Sequence, residues 1–141
     1  MLKQGRQPLV FVVDDESVIA SSLATILRHL GFDATSFTQP REVLQAARFQ
    51  HPDLLITDVV MPGLSGIELA VQVEVLCPQC KVLLFSGQAS SADLLEAARA
   101  DGHDFELLLK PVHPKDLLSK IQQLRGEVPP LPSIKRLLAG L

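Results

Sequence analysis

The chain has 141 residues, 47% of them hydrophobic, with 13 Lys and Arg against 16 Asp and Glu and a formal net charge of −3. That length suits one domain, and an acidic balance excludes nucleic-acid binding through a bulk basic face. No apolar run approaches the roughly 20 residues of a membrane span, and the first residues, Met1 to Arg6, lack the apolar core of a secretory signal, so a cytoplasmic protein is expected.

Residues 1–7 read as an amino-terminal extension. Leu9-Val10-Phe11-Val12-Val13 is rich in β-branched residues and does not alternate, as in a strand covered on both faces. Val18, Ile19, Leu23, Ile26, Leu27 and Leu30 then recur at helical spacing and stop at Gly31, a good helix terminator. Residues 34–37 are short and more polar, which suits an edge strand. Pro40 opens a second helix through Val43, Leu44 and Ala47, ending near His51-Pro52. Residues 54–57 form the third strand and run into Met61-Pro62-Gly63-Leu64-Ser65-Gly66, a loop dense in turn formers. A third helix is predicted from Ile67 to about Leu76, and a fourth strand over 81–85. Ser90-Ser91-Ala92-Asp93 resembles a capping box heading a fourth helix that closes at Gly102. Residues 105–109 give the fifth strand. Pro114 starts a fifth helix with Leu117, Leu118, Ile121 and Leu124 on one face and Gly126 at its end.

Repeated β-α units predict a parallel sheet with right-handed crossovers. After residue 126 the composition changes: Val128-Pro129-Pro130-Leu131-Pro132 should be a stiff extended spacer. Residues 133–141 could then form a short amphipathic helix with Ile134, Leu137, Leu138 and Leu141 as anchors for a docking partner or for the domain itself. The organisation expected is therefore an extension (1–7), a domain (8–126) and a linker with a tail (127–141).

If the five runs are parallel strands, Asp14, Asp15, Asp58, Ser86 and Lys110 meet at the carboxyl edge of the sheet, where open α/β sheets place their chemistry. Magnesium takes oxygen ligands and usually only one or two carboxylates. Asp15 and Asp58 could supply these, with Asp14 acting directly or through water. Without a cation, three crowded carboxylates should resist full ionisation. Asp58 is the best nucleophile, because carboxylates form acyl phosphates. Lys110 offers a compact charge to a phosphate oxygen, and Ser86 a hydroxyl. Taken singly, each has a duller explanation as a turn former, cap or solvated charge. Five compatible groups at one end of four strands outweigh it.

These residues resemble a known family. Val12-Val13-Asp14-Asp15-Glu16, the run from Asp58 to Gly66, Ser86-Gly87 and Lys110-Pro111 are similar to the receiver domain of two-component response regulators, over about residues 8–126. The resemblance implies a flavodoxin-like (β/α)5 fold with strand order 2-1-3-4-5. It implies phosphoryl transfer to Asp58 from a sensor histidine kinase or a phosphotransfer protein, with Asp15, Asp58 and the backbone carbonyl of Val60 as Mg2+ ligands and Asp14 assisting through water. Ser86 and Lys110 would hold the phosphoryl oxygens, and the Lys110-Pro111 bond would be cis. Such a domain is a switch that takes part in its own phosphorylation and dephosphorylation without being a turnover enzyme. The resemblance implies action on an output domain or docking partner, with 127–141 as the candidate link, and charge and hydropathy lead us to expect no direct nucleic-acid or membrane contact. Dimerisation through helix four, strand five and helix five is common among relatives, and the sequence leaves a homodimer of this kind open.

The chain departs from the family at two places. Leu107 stands where relatives carry an aromatic switch residue, and Phe105, two residues earlier, faces the same side by strand alternation. Val60 stands where, with Gln88, the family modulates acyl-phosphate hydrolysis; an apolar side chain there predicts a longer-lived phosphoform. Val60 also weighs against a small aspartyl phosphatase, which needs a second aspartate two residues after the nucleophile. A phosphorylation-independent interaction module is the alternative, favoured by Leu107 and opposed by the five intact site residues. Cys77 and Cys80 read as two thiols in a surface turn, and His29, His51, His103 and His113 as surface or capping residues.

Overall fold

Ten short segments alternate strictly between strand and helix, in a computed structural model that describes residues 7–87, 91–103, 105–110 and 113–125. They are β1 (Leu9–Val13), α1 (Ser17–His29), β2 (Asp33–Phe37), α2 (Pro40–Phe49), β3 (Leu54–Asp58), α3 (Gly66–Leu76), β4 (Lys81–Ser86), α4 (Ser91–Ala100), β5 (Glu106–Leu109) and α5 (Pro114–Arg125). All pairings are parallel and the order is β2-β1-β3-β4-β5. Every residue of β1 and β3 is buried, the polar Thr57 and Asp58 at the end of β3 included, while β2 buries only Ala34 and forms an edge.

Side chains leave the sheet alternately, so the core has two layers. Phe11, Val13, Leu55 and Leu84 pack against α2, α3 and α4 through Val43, Ala70, Val73 and Ala98. Val10, Val12, Ile56 and Phe85 face α1 and α5 through Leu23, Leu27, Leu117 and Ile121. Each such Leu or Phe removed from water stabilises the fold by about 1.5–3 kcal/mol. Among the described residues no helix is long and apolar enough to cross a membrane.

Gly31 and Gly102 end α1 and α4 as expected. At each, φ lies in the left-handed region (98° and 91°). The amides of Gly31 and Phe32 bond back to the carbonyls of Arg28 and Leu27, and those of Gly102 and His103 to Arg99 and Ala98. Both are Schellman motifs that satisfy the last carbonyls of the helix.

Several boundaries differ from the sequence reading. Helix α2 stops at Phe49, before His51-Pro52, because Gln50 is already extended. Strands β3 and β4 run one residue further, so Asp58 and Ser86 are the last residues of their strands and not the first beyond them. The turn that holds the two cysteines is also not a surface feature for the thiols. Cys77 and Cys80 are both buried in the layer under α2 and α3, and the Cys77 thiol points to the carbonyl of Ala47 at 3.8 Å. A turn whose Pro78 and Gln79 face water still sends its flanking side chains inward. Burial pushes the Cys80 thiol up to about 12, and the neighbouring Cys77 adds to the shift. Ser90, Pro111 and the tail lie outside the described residues, and so do the capping box expected at Ser90, the Lys110-Pro111 bond geometry and the helix expected over 133–141.

Candidate functional site

Strand order reverses at β1, whose neighbours β2 and β3 are reached by crossovers in opposite directions. A crevice opens at such a switch point beyond the carboxyl ends of the strands. Asp14 and Asp15 follow β1 and Asp58 ends β3, so the acidic residues flank that crevice. Their carboxylate oxygens all lie within 4.8 Å of one another. Asp15 and Asp58 line an open cleft of about 670 Å³, together with Val60, Ser86, Gly87 and Lys110. Asp14 lies behind it, fully buried.

The two ends of the Asp14 carboxylate are occupied. Oδ1 accepts the Glu16 N–H at 2.9 Å and Oδ2 accepts from Lys110 Nζ at 3.0 Å. Lys110 Nζ is also 3.5 Å from Asp58 Oδ2 and lies 4.9 Å over the ring of Phe85. Three carboxylates against one ammonium leave two negative charges uncompensated at the edge of a buried sheet. Burial first, and then the Asp14 charge, raise the Asp58 carboxyl above its ordinary value, and Lys110 only partly offsets them. Burial by itself would lower the Lys110 ammonium, but the bond to Asp14 and the charge of Asp58 outweigh it and raise the group.

This donor set suits a hard divalent cation: oxygen atoms only, two carboxylates facing an open cleft, and unmet negative charge. Val60 belongs to the same cleft wall. Ser86 is buried at the end of β4, and its carbonyl accepts the Lys110 N–H at 2.9 Å, so the main chains of the hydroxyl and the lysine are joined.

The structure therefore brings together all five residues singled out in the sequence. Phe105 and Leu107 do share a face, since both pack in the α2–α3–α4 layer while Leu108 packs in the other. Phe105 is buried and stacks on His103, which bonds Glu74 of α3 at 3.0 Å. His113 caps α5 by accepting the Lys115 N–H. Gln88 lies outside the described residues. Two features went unread in the sequence. Ser65 and Glu68 form a reciprocal capping box at the head of α3, signalled by Ser-x-x-Glu ahead of an apolar run. Phe85 beneath the lysine had no local signal, because the contact joins β4 to the residue after β5.

Residues 10–122 match the family described as the response regulator receiver domain. Among curated proteins the chain is 33% identical over 119 residues to the transcriptional regulatory protein CreB of Escherichia coli, covering 84% of this chain and 51% of that protein. It is 29% identical to the probable transcriptional regulatory protein TcrX of Mycobacterium tuberculosis, covering 85% and 50%. The chain thus spans about half the length of the curated relatives it matches. Among solved structures, chemotaxis protein CheY4 of Vibrio cholerae superposes with a TM-score of 0.76 at 26% identity, over 84% of this chain and 99% of that one. A CheY-like receiver domain protein of Methanospirillum hungatei gives 0.75 at 28% identity, over 84% and 93%.

Proposed function

The chain belongs to the response regulator receiver domain family, and from that premise we propose that it accepts a phosphoryl group on Asp58 and passes the change on to an output domain or partner. The observation that carries this reading is Asp58 itself. A carboxylate at the end of a central strand opens onto a cleft, with one ammonium 3.5 Å away and two further carboxylates beside it. The family is a signalling domain and not a classical turnover enzyme, and on this reading Asp58 is its switch position.

In the proposed transfer an Asp58 carboxylate oxygen attacks the phosphorus of a phosphohistidine. The new O–P bond forms as the N–P bond breaks, and the imidazole leaves with the electron pair. Lys110 is already between Asp14 and Asp58, so its ammonium meets a phosphoryl oxygen on Asp58 with little movement. The Ser86 hydroxyl offers a second contact. Asp14 holds the lysine from behind. Asp15, Asp58 and the Val60 carbonyl would hold Mg2+, which when bound neutralises charge on the transferring group. Such transfer relies on positioning and charge compensation, which is what these residues offer.

A sensor histidine kinase or a phosphotransfer protein is the proposed donor, in the cytoplasm. Residues 8–126 form the proposed switch unit, with 127–141 as linker and docking tail. The test is intact mass after incubation with Mg2+ and acetyl phosphate. One phosphoryl addition to the parent and none to Asp58→Asn is the expected result. No addition to a parent that still binds Mg2+ would turn the reading to a phosphorylation-independent interaction module.

A further inference from the structure

We infer that Gly66, outside the set of charged and hydroxyl groups, is a positioning residue for the site: its missing side chain is what lets the Asp58 peptide lie where the chemistry needs it. The inference rests on the reading of Asp58 as phosphoacceptor and adds to it a cause for the aspartate's placement.

Gly66 is the first residue of α3 and is buried. Its φ is not in the left-handed region, so conformational freedom does not explain it. Space does. A Cβ built on Gly66 overlaps the carbonyl oxygen of Asp58, lies 2.8 Å from that carbonyl's carbon and 3.0 Å from Thr57 Oγ1. The obstacle is backbone, not the end of a flexible side chain. It also belongs to β3, which is hydrogen-bonded on one side to β1 and on the other to β4, with Asp58 in register with Phe85. The strand cannot retreat without breaking its ladder.

Two more contacts fix this peptide and the next one. The Gly66 N–H donates to the Val59 carbonyl at 2.8 Å, and the Thr57 hydroxyl donates to the Asp58 carbonyl at 2.9 Å. The Ser65–Glu68 capping box stiffens the first turn of α3, and buried Ile67, Leu69 and Ala70 pack the start of the helix into the core, so the turn has little room to give. A side chain at 66 must therefore rotate the Asp58–Val59 peptide or lift the head of α3. Either movement re-aims the Asp58 carboxylate and shifts the Val60 carbonyl two residues on. A misplacement of about 1 Å at a reacting group costs on the order of 100-fold in rate.

The control is Gly31→Ala. Gly31 sits at φ 98° at the far end of α1, and a methyl group there would meet nothing within 4 Å, so alanine strains the backbone without crowding the site. Three quantities are measured for the parent and both variants: thermal midpoint, Mg2+ affinity, and the rate of phosphorylation by acetyl phosphate at saturating Mg2+. The chain has no Trp or Tyr, so Mg2+ is titrated by amide NMR shifts. Gly66→Ala should lose tenfold or more in both affinity and rate. Gly31→Ala should lower the midpoint yet keep affinity and rate within twofold of the parent. Gly66→Ala within twofold of the parent on both, or the two variants losing affinity and rate in parallel, overturns the inference. If Gly66→Ala does not fold, Thr57→Val decides, because it frees the Asp58 carbonyl without adding bulk. A severalfold loss of Mg2+ affinity supports the inference and an unchanged affinity overturns it. Mg2+ affinity does not require phosphorylation, so a parent that takes no phosphoryl group sinks the proposed function and leaves this test standing.

Discussion

Replacing Lys110 with methionine should destabilise the metal-free protein by about 3 kcal/mol. Methionine keeps a stem of similar length and removes the ammonium, with its hydrogen bond to Asp14 and its contact over the Phe85 ring. The ammonium is 3.0 Å from Asp14 Oδ2 and 3.5 Å from Asp58 Oδ2. At an effective dielectric near 20, each of those distances corresponds to about 5 kcal/mol of attraction before desolvation. Much of it offsets the cost of taking the ions out of water, but that cost for the carboxylates remains when the lysine goes. Losing one partner of a buried pair typically costs about 3–5 kcal/mol. The Lys110 side chain keeps 21% of its exposure, which puts this case at the low end.

Urea unfolding at pH 7.5 in EDTA measures the loss. The cause is tested by repeating it on Lys110→Met/Asp58→Asn. Removing one of the two stranded carboxylates should return at least about 1 kcal/mol, the coupling expected of residues in one charged network. Because Lys110 is raised above its ordinary value of 10.5, its contribution is full below that pH and is lost as pH rises through the folded value. The gap between parent and variant should therefore close only in strong alkali. A loss under about 0.5 kcal/mol, or a double variant no more stable than the single one, would show that the pair is solvated and that the reasoning is wrong.

Other outcomes follow from the same geometry. Asp58 is raised in the folded state, so it favours folding when protonated and the benefit disappears as pH climbs through its folded value; Asp58→Asn should be more stable than the parent at pH 7.5 without metal, with the difference shrinking toward pH 4, and a parent that is equally stable at pH 7.5 refutes this. Ser86→Ala should still accept a phosphoryl group by intact mass, while the phosphorylation-dependent amide shifts along β4 weaken; full-sized shifts would remove Ser86 from the coupling. Val60→Asn should lose its phosphoryl group faster than the parent in a decay followed by mass spectrometry, and an equal half-life would sink the role given to Val60. Neither buried thiol should react with an aromatic disulfide reagent in the native protein at pH 7.5; rapid labelling before unfolding contradicts the packing of Cys77 and Cys80.

Most of the architecture was legible because its signals are local. Unbroken apolar runs marked β1 and β3, helical spacing marked α1 and α5, and Gly31 and Gly102 stood where left-handed caps were needed. Topology then brought Asp14, Asp15, Asp58, Ser86 and Lys110 together without any further information. What could not be read depends on how the elements pack against one another. The preference of Lys110 for Asp14 joins residues 96 apart. The need for glycine at 66 arises only when α3 is laid against β3. The inward turn of Cys77 and Cys80 reflects the core beneath a loop whose own residues look polar.

The charge pattern also constrains how a phosphoryl group on Asp58 could be felt elsewhere. Asp14 is fully buried and has its two oxygens engaged, so a lysine that left it entirely would strand a charge in the interior. Lys110 is therefore confined to small movements between Asp14 and Asp58. Leu107 has no ring to turn, and Phe105 is buried and held in a stack on a histidine bonded to α3. The Lys110 amide is bonded directly to the Ser86 carbonyl, which ties the end of β4 to the residue after β5. On the proposed chemistry the two groups that hold the phosphoryl oxygens are thus also the two whose main chains are tied, and a pull on either side chain tightens or loosens one strand end. On that reading the main-chain link out of the site runs to β4.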